Sequence, residues 1–371
     1  MVDIMIPASP RIYPFRPAMF AIKTATVSRI PRPEYGRSPQ RFRQTIRCVP
    51  AIGVLCAAGL IFMGVSAAAK DTGQVFVSNE KSSTLTILDK TGKVLRTLDT
   101  CARPRGMTFN PARTHLFVGC CDDNTVALYD VASLKLERRY RNIAAPETFD
   151  LHPDGRHLYI SNEDDSEASV LDTETGQIVA KYPTGPEPEG VLATGDGERV
   201  YVASEIANLV HVIDVAARKV VKDVPVGTRP RRFALTPDGK ELWVSAELSG
   251  QIDIIDTAKL VSGGRVEFQI KAIHRDLITP VDLVMTKDGK RAYVALGRAN
   301  HVAVVDVKSR TVLDYILVGK RPWGLRLTAD EQRLWVANGL SDDVSIIDTK
   351  SGKVIISVPV GQVPYGILID E

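Results

Sequence analysis

The chain has 371 residues, 44% hydrophobic and 25% charged, with 27 Gly and 22 Pro. That excludes wholesale disorder and a collagen-like repeat, and the length admits two ordinary domains or one large closed one. Five Cys are too few for a disulfide scaffold and 6% aromatics too few for a stacking surface, while the formal charge of +3 sits entirely in the leader.

Residues 1–47 carry nine basic residues and two acidic ones, residues 48–69 carry none of either sign, and the remainder is net −4. The part expected to fold therefore presents no basic excess, and no nucleic-acid partner is expected. Residues 1–47 read as a basic leader, either a disordered cytosolic extension or a start placed upstream of the real one. Residues 48–69 form the hydrophobic region of a signal peptide, with Ala67 and Ala69 as small residues for cleavage near Ala69. Pro50 and the small-residue tail make this run a poor permanent anchor, so membrane attachment is expected only through an uncleaved signal. Leu55 before Cys56 argues against a lipoprotein. Residues 70–371 are thus expected to be exported across the inner membrane into the periplasm.

From residue 70 onward the chain repeats. Asp89, Asp130, Asp172, Asp214, Asp256, Asp306 and Asp348 each close a short apolar run, at spacings of 41, 42, 42, 42, 50 and 42. Before each comes a strand-like run: VFVSNE, LFVGCC, LYISNE, VYVASE, LWVSAE, AYVALG and LWVANG. Two further alternating runs complete each unit, separated by Gly, Pro and Asp turns. Four short strands in about 42 residues, seven times over, predict an all-β, seven-bladed propeller of four-stranded blades. The chain starts on the second strand of the pattern and stops on the first. The C-terminal strand is therefore expected to complete the N-terminal blade and close the ring, removing two exposed edges.

The strands are lettered A to D from the axis outward. The D–A and B–C turns then share one face, around one mouth of the central channel. The residue after the turn proline varies around the ring: Arg105, Glu147, Glu189, Arg231, Val281, Trp323 and Tyr365. The residue before it adds Arg103, Arg229 and Arg321, and the B-strand ends add Asn79, Asn162 and Asn338. The opposite face repeats the same turn chemistry. Variation confined to one mouth points to a site grafted on a repeat, so these twelve residues are the candidate ligand- or partner-binding set, excepting Val281. The plainer alternative is a ring of solvated turn residues pairing with one another.

No Gly-rich phosphate cradle, haem-attachment motif or zinc pattern is present, and the six His share no ligand set, so no metal and no catalytic residue is assigned. His274, in the insertion of the fifth repeat, is the one placed near the same mouth. Cys101, Cys120 and Cys121 fall on one blade at that mouth. In an oxidising compartment Cys101 is expected to bridge Cys120 or Cys121, with a vicinal Cys120–Cys121 ring as the alternative.

The stretches YISN (159–162), YVAS (201–204) and WVAN (335–338) resemble the YVTN-type β-propeller repeat family. GPEPEG (185–190), TRPRRFALTPDGKELWVSAE (228–247) and the run 295–325 resemble its subgroup of PQQ-dependent-catabolism-associated propellers. The resemblance spans 73–371. It implies a periplasmic propeller working beside a PQQ-dependent alcohol dehydrogenase and its cytochrome c, and it supplies no active site. The expectation is a binding protein accessory to quinoprotein alcohol oxidation, with PQQ as a candidate ligand. Arg105, Arg229, Arg231 and Arg321 suit its carboxylates, and Trp323 and Tyr365 offer a stacking surface. The alternatives are a lactonase-like or quinoprotein-like propeller enzyme with a cofactor or metal at the same mouth, and a structural surface or scaffold protein.

Overall fold

A computed structural model of the chain describes residues 71–371. The leader and signal-peptide readings lie outside the described residues. Seven four-stranded antiparallel sheets follow one another around an axis. Blade 1 takes strands B, C and D from Gln74–Asn79, Thr84–Asp89 and Val94–Asp99. Its A strand is Pro364–Ile369, at the other end of the chain, paired with strand B through Val75–Ile369, Phe76–Leu368 and Val77–Ile367. Asp370 reinforces the closure: its carboxylate accepts from the Thr72 N–H at 2.8 Å and its backbone exchanges hydrogen bonds with Gly73 and Gln74.

Burial explains the sequence pattern. Every B strand is buried at five of six positions, because it is sandwiched between two neighbouring blades, and so reads as a continuous apolar run. Trp243 and Trp335 lie fully buried between blades. The D strands are mostly exposed, with one buried position near their end.

The A strands are Pro104–Phe109, Pro146–Leu151, Pro188–Ala193, Pro230–Leu235, Pro280–Met285 and Pro322–Leu327 in blades 2 to 7. In all seven blades the A–B ladder slips between the proline and the third residue after it. A bulge of this kind unpairs the two residues after the proline and re-aims their side chains. Ser78, Ser161 and Ser245 on the B strands then donate to the carbonyls of Arg105, Glu189 and Val281 in the next blade, at 2.6–2.8 Å. A Cβ on Gly190 would sit 2.0 Å from the Arg231 carbonyl, so neighbouring A strands approach closely enough there to require glycine.

The residue before the proline is left-handed in six blades: Arg103, Ala145, Glu187, Arg229, Arg321 and Val363. Asn124, Asn208, Asn300 and Asp342 in the B–C turns accept from the N–H of Ala145, Arg229, Arg321 and Val363 and hold that conformation. The extra residues of the fifth repeat form the loop before Pro280, with a short 3₁₀ turn at Arg275–Leu277. His274 caps that turn and is exposed.

Candidate functional site at the channel mouth

The bulge and the left-handed turn place a ring of charged side chains across the mouth. Two clusters form. In the first, Arg103 meets Glu147 at 3.0 Å, Glu80 at 3.2 Å and Glu163 at 3.6 Å. Arg105 binds Glu147, with Glu80 at 3.4 Å and Glu189 at 3.9 Å. In the second, Arg231 meets Glu205 at 2.5 Å, Glu247 at 3.1 Å and Glu189 at 3.4 Å. Arg229 adds Glu205 at 2.6 Å, and Arg321 adds Glu247 at 3.0 Å.

The aromatic pair joins the clusters. Trp323 and Tyr365 lie 5.6 Å apart between ring centroids. Arg231 and Arg321 stand 4.8 and 4.7 Å from the Trp323 ring, and Arg105 stands 4.6 Å from Tyr365. The Tyr365 hydroxyl donates to Glu189 at 2.7 Å and accepts from Arg232, which also pairs with Glu189 at 3.1 Å. Six guanidinium groups thus face six carboxylates, and the predicted Arg, Glu and aromatic residues form one network. Glu147 is 0% exposed and Arg231 2%. Charges this buried persist only because each is paired.

The network sets its own ionisation. Burial opposes ionisation of Glu189, but Arg231, Arg232 and Arg105 outweigh it and hold the carboxyl at about 2. Burial and the neighbouring Glu189 charge push Glu205 up to about 7. The two share Arg231, so a proton entering the pair settles on Glu205.

The asparagines do something else. Asn79 donates to Thr84 and Thr86, Asn162 to the Ala144 carbonyl, and Asn338 to Asp343 and Ser345. They order the turns beneath the network and are not drawn into it. Cys101 and Cys120 form a disulfide across the entry to blade 2. Cys121 is a buried free thiol that donates to the Pro146 carbonyl, and burial pushes it up to about 12, so it stays protonated.

Below the network lies a cavity of about 140 Å³, with Arg105, Trp323 and Tyr365 on its lining. It also touches Thr148, Arg232, Asp282 and Arg326, which the column reasoning did not single out. A signal was present. The second residue after the turn proline is Gly in four blades but Thr148, Arg232 and Asp282 in the others. The departures from glycine supply three of the cavity's polar groups, and Arg326 lies outside that pattern.

These features define a seven-bladed β-propeller repeat protein with an ion-paired mouth. Residues 112–238 match the family model described as YNCE-like beta-propeller. No curated protein matches the chain in sequence. Among solved structures, the chain is similar to Kuenenia stuttgartiensis hydrazine synthase, with a TM-score of 0.68 and 20% identity over 76% of this chain and 94% of that one. It is similar to a functionally unknown protein from Desulfotomaculum acetoxidans, at TM-score 0.69 and 16% identity over 80% and 99%. The Pseudomonas aeruginosa periplasmic gluconolactonase PpgL gives TM-score 0.67 and 20% identity over 80% and 99%. At these identities the likeness is one of fold.

Proposed function

We propose that the chain is a periplasmic binding protein that docks a protein partner on the face carrying the ion-paired mouth, in support of quinoprotein alcohol oxidation. The observation that carries the binding role is the mouth itself. Its arginines are committed to glutamates, and the cavity beneath measures about 140 Å³, so the face offers a surface and not a pocket. Around it, the B–C turns of blades 4, 5 and 7 expose Ile206, Leu248 and Leu340 at equivalent positions, at 58%, 54% and 66%. Apolar residues set beside arginines and aromatics have the composition of an interface centre. PQQ, a fused tricyclic tricarboxylate, does not fit: pockets for ligands of that size run to about 300 Å³ or more, and the candidate arginines are already neutralised.

The dehydrogenase and its cytochrome c enter through the family resemblance. The test is surface-immobilised binding of each purified protein. Saturable binding to one of them, weakened at least ~10-fold by Leu248→Asp with Leu340→Asp, supports the reading. Absence of binding to both removes the accessory role.

A second reading is a lactonase-like enzyme acting in the channel. The fold of the gluconolactonase favours it, together with two carboxyls, Asp150 and Asp282, that burial raises. Steady hydrolysis of gluconolactone above the buffer rate, lost in Asp282→Asn, would support it, and a rate equal to buffer rejects it.

A further inference from the structure

The mouth network is largely buried, and along most inner strands exposure grows toward the other end. The residues one past each turn proline are buried in six of seven blades, Trp323 being the exception. Three residues further along, Thr108, Asp150, Leu192, Val284 and Leu368 are half-buried, Arg326 is exposed and only Ala234 is buried. A surface depression on the far face, lined by Arg113, Thr328 and Glu371, also includes Arg326. The cavity is therefore approached from the face opposite the proposed docking surface.

Its polar lining is uneven. Arg105 and Arg232 are neutralised by Glu147 and Glu189. Arg326 makes one hydrogen bond, from Nε to the Ile367 carbonyl at 3.2 Å, and no ion pair among the described residues. Both of its terminal amino groups are left for a ligand. Asp282 accepts from the N–H groups of Leu283 at 2.9 Å and Leu325 at 2.8 Å and likewise has no ion-pair partner among the described residues. The charges of Arg232 and, more weakly, Arg326 act on Asp282 from beyond ion-pair distance. A cation and a carboxylate thus line one small cavity without touching each other. The same cavity is also lined by the apolar Met107, Val191, Leu325 and Ile367.

We infer that this cavity binds a small zwitterion, an α-amino acid with a short apolar side chain. The ligand carboxylate takes the Arg326 fork, its ammonium takes Asp282, and its side chain covers the apolar lining. Size and charge both select this class. A cavity near 150 Å³ accommodates a molecule of benzene's size, and alanine or valine is comparable. Arg326 and Asp282 are thus the lining charges without an ion-pair partner among the described residues, one of each sign, and the Arg326 charge also acts on Asp150 beside the lining, which disfavours a simple anion. The inference does not rest on the partner-docking reading, since the two use opposite ends of the channel.

Calorimetric titration of the purified protein with alanine, valine, lactate, propanoate and inorganic phosphate tests it. Alanine or valine is expected to bind saturably, at least 10-fold tighter than lactate, propanoate or phosphate. Arg326→Gln and Asp282→Asn are each expected to weaken binding ~10–100-fold, and Arg326→Lys to recover part of the loss. Melting curves of each variant separate loss of the ligand from loss of the fold. Preference for lactate or phosphate over the amino acids, no binding by any of the five, or amino-acid binding untouched in a folded Arg326→Gln protein would overturn the inference.

Discussion

Arg231 shows how much the mouth network depends on single residues. Its guanidinium is 2% exposed and is the common partner of Glu189, Glu205 and Glu247, with the Trp323 ring 4.8 Å away. Attraction inside a low-dielectric site is strong, but it has to offset the desolvation of every charge taken out of water. Removing one partner is therefore worse than never having built the pair. Arg231→Ala leaves three buried carboxylates short of a cation and is expected to cost about 3–5 kcal/mol of unfolding free energy, measured by denaturant titration. In a Glu205→Gln background the same substitution is expected to cost less, because one stranded charge is gone. Equal costs in both backgrounds would mean that Arg231 and Glu205 are uncoupled.

At the scale of the strand, closure rests on Pro364–Ile369. Without it, strand Gln74–Asn79 of blade 1 and strand Pro322–Leu327 of blade 7 both lose a neighbour, and Tyr365 leaves the mouth. A chain ending at Val363 is expected to lose its cooperative thermal transition rather than shift it by a few degrees, as scanning calorimetry would show. An unchanged melting temperature would mean that the ring closes without this strand. The repeat, the seven blades and this closure were legible in the sequence, because B strands buried on both faces must be apolar and turns must carry Pro, Gly and Asp. The candidate columns were legible because the turn proline fixes the residues around it. The pairing within the mouth was not: Arg232 meets Tyr365, 133 residues away, only when the ring closes. The asparagines end the B strands at the mouth, yet the Asn79 and Asn338 amides turn back onto the adjoining C strands and the Asn162 amide reaches the Ala144 carbonyl before Pro146. Arg326 gave no signal beyond being a charge inside an inner strand.

Across the whole molecule, pH reads out two opposed groups of carboxyls, one in exposed turns and one buried. Asp154, Asp238 and Asp288 are held at about 2, Asp154 chiefly by the His157 hydrogen bond and the other two by hydrogen bonds within their turns. Their contribution is complete above about pH 5 and is lost only as acid protonates them in the folded state. Asp150 and Glu205 behave oppositely. Burial raises Asp150 to about 6, and burial with the Glu189 charge raises Glu205 to about 7. Between their ordinary values near 4 and these raised ones, the folded protein holds more protons than the unfolded chain. Stability linked to them is therefore full in mild acid and falls as pH rises through 6 and 7. A shift of two units corresponds to about 3 kcal/mol before screening, so the unfolding free energy is expected to decline from pH 5 to pH 8. The variant Asp150→Asn separates its share. Asn cannot ionise, so the decline should become shallower whatever the substitution does to absolute stability. A wild-type curve that is flat or rising over this window would mean that channel water solvates these carboxylates well enough to keep them ionised.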